Sequence, residues 1–184
     1  MRKLLLTSAG LHTNDTAPIL LKLLDKKPTE LKVAFIPTAA DPDEDKWYVQ
    51  ASRDELLDLG FNVEDVDLKE NPEIIKKKLE NSDIIYINGG NTFYLLDWVR
   101  KSGLNKYIGE LLDHGKIYIG TSAGSIIMGP SIEAGGWGIV PDKNVVGLQD
   151  LTGLNFVPFI VSPHFSEAER EILKEQSKTI SYPV

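Results

Sequence analysis

The sequence predicts a single α/β domain in which a mostly parallel sheet is covered by helices on both faces. The chain has 184 residues and is 42% hydrophobic, which suits one domain with a full core. Short apolar runs alternate with longer amphipathic stretches along the whole chain, a pattern typical of parallel strands joined by helices. No repeat or low-complexity linker interrupts this alternation. We therefore expect residues 1–184 to form one domain.

The predicted elements follow from the length and spacing of the apolar runs. Six short runs are expected to be strands: 4–7, 32–36, 62–66, 84–87, 116–120 and 159–161. Seven stretches are expected to be helices: 17–24, 45–59, 72–80, 92–102, 104–114, a short one after Ser122, and 166–177. In an open parallel sheet, ligands bind beyond the carboxyl ends of the strands. The loops at those ends are 8–10, 37–40, 88–91, 120–124 and 162–165.

Composition excludes several classes of function. The net charge is −7 and the pI about 5.0, with acids and bases interspersed, which argues against nucleic acid or an anionic membrane as a partner. The sequence contains no cysteine, so disulfides, thiolate metal sites and cysteine nucleophiles are excluded. The apolar run near the N-terminus is too short for a signal sequence, and no 18-residue apolar stretch follows. We expect a cytoplasmic protein.

The pentapeptide 120–124 reads Gly-Thr-Ser-Ala-Gly and lies between the apolar runs 116–119 and 125–128. A strand, G-x-S-x-G and a helix are typical of a nucleophile elbow, a tight turn that presents a serine hydroxyl at the end of a sheet. Glycine is expected on both sides because a Cβ there would strike the neighbouring strand or helix. Ser122 is therefore the candidate nucleophile. The alternative is an ordinary turn that happens to contain serine.

A serine nucleophile needs an adjacent base, and histidine is the usual one. His114 falls in the last turn of a predicted helix before a glycine, where an imidazole interacts with the helix's carbonyl end, so we expect a structural role. His12 follows the first strand and is expected to be a loop residue. His164 follows the apolar run 159–161 and Pro163. It is the best candidate base, and a loop histidine is the alternative.

Acyl transfer also needs N–H donors directed at the developing oxyanion. The loop 88–91, Asn-Gly-Gly-Asn, follows a predicted strand and opens a helix, so it presents backbone without side chains. One of its glycine amides, paired with the N–H of Ala123, would make a two-donor hole. The same glycines do not form a dinucleotide-binding motif, because no G-x-G-x-x-G is present.

In one long stretch, 131–154, the apolar residues do not recur at the spacing of a helix. It contains Gly-Gly-Trp-Gly at 135–138. Three glycines indicate a mobile or sharply folded segment. It is expected to be either a hairpin or lid near the site, or a surface loop with an exposed Trp137.

Three ordered motifs resemble the dipeptidase E (alpha-aspartyl dipeptidase) family of serine peptidases, peptidase family S51. They are residues 88–96, Asn-Gly-Gly-Asn-Thr-Phe-Tyr-Leu-Leu, the pentapeptide 120–124, and residues 162–165, Ser-Pro-His-Phe. The first strand and the segment 36–39 fit as well, so the resemblance covers nearly the whole chain. It implies a class I glutamine amidotransferase-like fold, no metal and no cofactor, and a small peptide as substrate.

The resemblance also implies roles for individual residues. Ser122 would be the nucleophile and His164 the base, with Gly90 and Ala123 donating the oxyanion hydrogen bonds. Asn91 and Thr92, in the same motif as Gly90, are candidates for substrate binding.

Two features depart from the family pattern. The family's third triad residue is a glutamate from a segment after the helix that follows the histidine, and this sequence ends at Val184 before such a segment. We expect the chain to lack a short C-terminal segment, which leaves the third acid unknown; the candidates are Glu133, Asp142 and Glu167. Members that prefer an N-terminal aspartate carry basic residues after the histidine. Here Arg170 alone could bind the substrate carboxylate in Asp-Xaa dipeptides.

Two other functions stay open. An esterase of the α/β-hydrolase type requires the order Ser, Asp, His, which Ser122, either Asp142 or Asp150, and His164 permit. A catalytically impaired homologue that binds a small peptide is the other, because the C-terminal acid is missing. The chain could also form a homodimer.

Overall fold

The computed structural model describes residues 1–11 and 15–184 and contains a five-stranded parallel sheet with the order β1-β5-β4-β2-β3. The strands are β1 (Lys3–Thr7), β2 (Lys32–Ile36), β3 (Asn62–Asp65), β4 (Ile84–Ile87) and β5 (Ile117–Thr121). The predicted α/β class is confirmed.

The helices alternate with the strands as predicted, and most of their ends agree to within two residues. They are α1 (Thr16–Leu23), α2 (Trp47–Asp58), α3 (Pro72–Glu80), α4 (Thr92–Lys101), α5 (Leu104–Asp113), α6 (Ala123–Ile126) and α7 (Arg170–Ser177). The last predicted helix differs, since its first turn is a 3₁₀ turn at Glu167–Glu169. Across the described ranges, no helix is long and apolar enough to cross a membrane.

Side chains alternate between the two faces of the sheet and build two separate cores. Ala34 and Ile36 of β2 face a cluster that includes residues of α3, α4, α5 and α6. Val33 and Phe35 face the other cluster, with Leu20 of α1 and Leu56 of α2. Because every strand between the edges is covered on both sides, its residues are nearly all apolar rather than alternating with polar ones. This explains why β2, β4 and β5, the three inner strands, are nearly continuous apolar runs.

The predicted strand 159–161 is wrong. The segment is irregular, although Ile160 is buried and its N–H donates to the carbonyl oxygen of Pro183 (2.6 Å). Pro158 and Pro163 flank the run and have no N–H to offer a ladder. Within this run Ile160 is buried and Phe159 is exposed, so one side chain anchors an irregular segment.

The sheet order places three important loops together. β1, β5 and β4 are adjacent, so the loops after their carboxyl ends, which begin at Ser8, Ser122 and Asn88, meet at one edge of the sheet. The loop after β2 lies next to that of β4, since the N–H of Asn91 donates to the carbonyl of Ala39 (2.8 Å). This is the position expected for the functional site.

Candidate active site

Ser122 lies between β5 and α6 with an uncommon backbone conformation, φ 48° and ψ −109°. A non-glycine residue adopts such a positive φ only when its surroundings impose it. Here the N–H of Ser122 donates to the Thr7 carbonyl (2.9 Å), and its own carbonyl accepts from the N–H groups of Ser125 (2.8 Å) and Ile126 (3.0 Å). Strand and helix together therefore fix the strained turn.

The glycines on both sides of Ser122 are required by space. A Cβ added at Gly120 would lie 2.5 Å from the carbonyl oxygen of Gly124, and one added at Gly124 would lie 2.2 Å from that of Ile87 in β4. Both distances are below any normal contact with backbone. The prediction that this turn needs glycine at each end is confirmed.

Two buried hydroxyls tie the turn to the sheet, and the sequence analysis did not single them out. The Ser125 Oγ accepts from the Thr7 N–H (3.0 Å) and lies within hydrogen-bond distance of the carbonyls of Thr7 (2.8 Å) and Gly120 (2.7 Å). The Tyr118 hydroxyl donates to the Gly124 carbonyl (2.6 Å). The sequence held one signal for these roles: each hydroxyl stands within or beside an apolar run that is expected to be buried. A buried polar group needs a hydrogen-bond partner, so such a hydroxyl is a candidate for a structural hydrogen bond.

His164 meets Ser122 directly. Its ring Nε2 lies 2.9 Å from the Ser122 Oγ, across 42 residues of sequence. The backbone of His164 has φ 61°, and its N–H donates to the Ser8 Oγ (3.3 Å). Thus the loop after β1 holds the histidine loop over the elbow, even though no strand precedes it.

The other two histidines have different outcomes. His114 ends α5 as its C-cap, with its N–H donating to the Glu110 carbonyl (3.0 Å) and Gly115 following at φ 90°. The structural role predicted for it agrees with this placement. His12, expected to be a loop residue, lies outside the described residues.

Gly90, one of the two predicted oxyanion donors, lines the same cavity as Ser122, and Ala123, the other, follows Ser122 in the chain. In the described part of the chain neither N–H donates to a protein acceptor. Gly90 has φ 134°, and a Cβ there would come within 2.3 Å of the Ala39 carbonyl. The neighbouring Gly89 would bring a Cβ to 3.3 Å from the Ser122 Cβ. Glycine at position 90 thus lets the loop pack against Ala39, and a side chain at position 89 would crowd Ser122.

Asn91, Thr92 and Arg170, the candidates for substrate binding, do not line the cavities at Ser122. The Asn91 Oδ1 accepts from the Tyr94 N–H (2.9 Å), which caps α4, and its Nδ2 donates to the Lys143 carbonyl (2.8 Å). The Thr92 N–H donates to the Asp142 Oδ2 (2.8 Å). Arg170 pairs with Glu167. The first two therefore hold the start of α4 against the segment 142–143.

The candidate third acids are separated by the fold. Glu133 begins a 3₁₀ turn and does not line either cavity. Glu167 is exposed and engaged by Arg170 (2.7 Å). Asp142 lines both cavities that contain Ser122 and His164. Within residues 1–11 and 15–184, no carboxylate hydrogen-bonds to the imidazole ring of His164. The identity of a third acid therefore stays a prediction.

Asp150, one of the two acid candidates for an esterase, lies away from both cavities, whereas Asp142, the other, lines them. Asp150 pairs with Arg100 (3.1 Å) on the exposed surface, and the arginine also binds the carbonyls of Asp150 and Thr152. In the described residues no group of three His, Cys, Asp or Glu could hold a metal ion.

The segment 131–154 lies beside the site. Ser131 and Thr152 form an isolated antiparallel bridge at its ends, and a Cβ at Gly135 would lie 2.8 Å from the Thr92 Cβ. Trp137 is half-buried and lines the same cavity as Ser122 and His164. Of the two expectations, a structure near the site is therefore favoured over a remote surface loop.

Two cavities flank the serine–histidine pair. One, of about 400 Å³, lies on the side of the loop 88–90, and the other, of about 440 Å³, lies on the side of Ser162 and Pro163. Asn88 lines the first cavity, is fully buried, and finds no hydrogen-bond partner for either its Nδ2 or its Oδ1. The sequence analysis treated Asn88 only as part of a glycine loop. It did not identify the unpartnered amide, because the fold decides which side chains are buried and which partners they meet.

Burial raises the pKa of Asp142, against the opposing effect of its hydrogen bond from Thr92. The folded protein therefore binds this proton more tightly than the unfolded chain does. At pH values between the pKa of Asp142 in the unfolded chain and its higher pKa in the folded protein, the free energy of unfolding falls as pH rises. The reason is that burial disfavours the charged carboxylate in the folded state only.

Asp142→Asn tests this effect while keeping an acceptor for the Thr92 N–H. We expect the free energy of unfolding of the wild type, relative to the variant, to decline as pH is raised above the ordinary aspartate pKa of about 4. Urea denaturation at a series of pH values measures it. Parallel curves for the two proteins would show that the carboxyl does not titrate differently on folding.

The fold and the elbow define the class: an α/β protein of the class I glutamine amidotransferase-like type with a serine and a histidine in contact at the sheet edge. The model of peptidase family S51 matches residues 4–181. The chain belongs to this family and is a peptidase.

Individual relatives agree with this assignment. An uncharacterized peptidase of Listeria monocytogenes is 39% identical over 159 residues, which cover 83% of this chain and 77% of the relative. Peptidase E of a Nostoc species is 33% identical, over 74% of this chain and 53% of the relative. The chain thus spans about half the length of that Peptidase E. A Listeria monocytogenes crystal structure described as a candidate Peptidase E superposes with a TM-score of 0.84 at 35% identity, covering 95% of this chain and 87% of the other.

Proposed function

We propose that the protein is a serine peptidase of the dipeptidase E type that cleaves short peptides, with Ser122 as nucleophile and His164 as base. The observation that carries the proposal is the 2.9 Å approach of the His164 Nε2 to the Ser122 Oγ, at a turn whose strain and glycines serve to present that hydroxyl. A hydrogen bond of this length is the geometry that proton transfer from a serine requires.

The steps follow from these positions. The Ser122 Oγ attacks the scissile carbonyl carbon as its proton passes to the His164 Nε2, and the carbonyl oxygen becomes an oxyanion. The N–H groups of Gly90 and Ala123, which have no other acceptor among the described residues, receive that charge. The C–N bond then breaks and the leaving amine takes the proton from His164. A water molecule next attacks the acyl ester as its proton passes to His164. The bond to the Ser122 Oγ breaks, and the proton returns to that oxygen.

The size of the site supports a short substrate. The two cavities of about 400 and 440 Å³ are each large enough for one or two residues. Cleavage of Asp-Xaa dipeptides is the finer expectation of the family resemblance, and it needs a cation for the substrate carboxylate. Arg170, the candidate, is instead paired with Glu167, so our proposal names short peptides without an aspartyl preference.

A serine-directed fluorophosphonate tests the proposal. We expect one covalent adduct, mapped to Ser122 by mass spectrometry, and a labelling rate about 10²-fold to 10⁴-fold lower in His164→Ala because the base is lost. His114→Ala is the matched control, since His114 caps α5 and its replacement should leave labelling unchanged. Absence of any adduct would instead favour a peptide-binding homologue, and equal rates in the two variants would remove His164 as the base.

A further inference from the structure

The first cavity, the one of about 400 Å³ on the side of the loop 88–90, is faced by the start of α2. Trp47 and Tyr48 line it from the first turn of this helix, and Ala51 lines it from the next turn. Residues four apart lie on the same side of a helix, so Trp47 and Ala51 form one wall with Tyr48 beside them. The small side chain of Ala51 leaves room in front of the two aromatic rings.

Trp47 has an uncommon placement for a large aromatic side chain. Its exposed fraction is 70%, although tryptophan is highly buried on average in folded proteins. The ring packs against Tyr48, since the two meet edge to face with their centroids 6.2 Å apart and their planes at 88°. This pair presents apolar surface at the cavity, and covering that surface with the side chain of a ligand is favourable.

The acidic and phenolic groups on the walls of the first cavity already have partners within the protein. The Tyr48 hydroxyl donates to the Asp43 carboxylate, and burial together with this hydrogen bond raises the pKa of Tyr48, so the phenol keeps its proton. Asp142 accepts from the Thr92 N–H (2.8 Å), and Glu55 accepts from a backbone N–H of the loop after β1 (2.9 Å). What remains for a ligand is chiefly the apolar surface of α2.

The charges around the first cavity disfavour an acidic side chain. Asp43 and Asp142 line it, and none of the described residues that line it is lysine or arginine. A substrate carboxylate would therefore meet charges of its own sign without a cation to offset them. A neutral side chain avoids this repulsion.

The candidate catalytic pair indicates what occupies the first cavity. Ser122 and His164 form part of its wall, and the Ser122 Oγ lies 2.9 Å from the His164 Nε2. Under the proposed function the scissile bond lies at this pair, so the side chains next to that bond lie beside the two cavities. The first cavity offers such a side chain the aromatic wall of α2.

We infer that the first cavity is a subsite for a large apolar side chain, so that the peptidase prefers substrates with phenylalanine or leucine, rather than aspartate, next to the scissile bond. Trp47 and Tyr48 pack against that side chain, and Ala51 leaves room for it. This inference rests on the proposed function for the cleavage step, while the binding of the side chain depends only on the cavity.

Turnover of Phe-Ala, Ala-Phe and Ala-Ala tests the inference, with Asp-Ala and Lys-Ala as charged comparisons. We expect kcat/KM for the better of the two phenylalanine dipeptides to exceed that for Ala-Ala by about 10-fold to 100-fold, the range that burial of one large apolar side chain supplies. The better dipeptide also identifies which substrate residue the cavity takes. If neither exceeds Ala-Ala, or if Asp-Ala or Lys-Ala is the best substrate, the subsite is wrong while the serine peptidase stays intact.

Trp47→Ala should reduce the ratio of kcat/KM for the better phenylalanine dipeptide to that for Ala-Ala at least ~3-fold, because an aromatic wall of the cavity is lost. The matched control is Leu57→Ala, which also truncates an exposed apolar side chain of α2 but at a residue that lines neither cavity. Its ratio should equal the wild type's. Ala51→Leu fills the cavity instead and should lower the ratio by a similar factor. Unchanged ratios in both cavity variants would contradict the inference.

A binding measurement separates this inference from the proposed chemistry. In Ser122→Ala, calorimetry should detect the better phenylalanine dipeptide binding at least ~10-fold more tightly than Ala-Ala, and adding Trp47→Ala should reduce that difference at least ~3-fold. If both results hold while the wild type cleaves nothing and takes up no phosphonate, the proposed function fails and the apolar subsite stands. If the dipeptides bind alike, or if Trp47→Ala leaves the difference unchanged, the subsite fails whatever the turnover.

Discussion

Ser122→Ala is expected to lower kcat for a cleaved dipeptide by at least ~10³-fold, since no other group can form the acyl intermediate. The hydroxyl contacts the His164 Nε2 and makes no hydrogen bond to the turn itself among the residues that the structure describes; the backbone bonds of residue 122 stay in place. The free energy of unfolding should therefore change by less than about 0.5 kcal/mol. Steady-state kinetics and urea denaturation measure the two effects.

Two further variants make this result specific. Ser177→Ala removes an exposed hydroxyl far along the chain and should alter neither turnover nor stability. Ser122→Gly should be as inactive as Ser122→Ala but more stable by about 1 kcal/mol, because glycine relieves the strain of φ 48° at some cost in chain entropy. Residual turnover in both Ser122 variants would place the nucleophile elsewhere.

Gly90→Ala is expected to damage stability and catalysis together. Its Cβ would lie 2.3 Å from the carbonyl carbon and oxygen of Ala39, at φ 134°, so the loop must move away from the 38–40 turn. Overpacking and the unfavourable φ together cost about 3 kcal/mol or more. Displacing the Gly90 N–H should also lower kcat about 10²-fold to 10³-fold, as loss of one oxyanion donor does.

Gly103→Ala is the matched control for Gly90→Ala. Gly103 also has a positive φ, 77°, but a Cβ there has no heavy atom within 4 Å, so the substitution isolates the conformational cost, about 1 kcal/mol. Its turnover should match the wild type's. If the two alanine variants lost equal stability and both kept full activity, close approach at Gly90 would not matter to the site.

The elbow was predictable because its sequence signature is local, although the contact that requires Gly124 comes from Ile87 in β4. A strand that enters a turn and leaves as a helix needs glycine at Gly120 and Gly124, and those glycines stand within two residues of Ser122. The apolar runs likewise predicted the inner strands β2, β4 and β5, since a parallel strand inside the sheet is buried on both faces. The run 159–161 is also apolar, yet it forms no strand: Ile160 alone is buried, Phe159 is exposed, and the flanking prolines have no N–H to offer a ladder.

The substrate-binding candidates show a different kind of error. Asn91 and Thr92 follow Gly90 in the sequence, yet the Asn91 side chain caps α4 and binds the Lys143 carbonyl, whereas the Thr92 N–H binds Asp142 and the Thr92 Oγ1 is buried without a partner. Asn88, two residues before Gly90, has the free amide. Proximity in sequence thus identified the right loop but not the side chains that line the cavity. The fold decides where each side chain lies and which groups it meets.

By itself the sequence determined the alternation of strands and helices and the positions of the serine turn and the glycine loop, because each is recognised from residues that are neighbours along the chain. Only the tertiary structure decided that the His164 ring, 42 residues from Ser122, reaches its hydroxyl, and that Asp43, Glu55 and Asp142 share one cavity. These residues belong to the β5–α6 turn, the loop after β2, helix α2 and the irregular segments around 142 and 164, which are far apart along the chain and meet only in the folded protein.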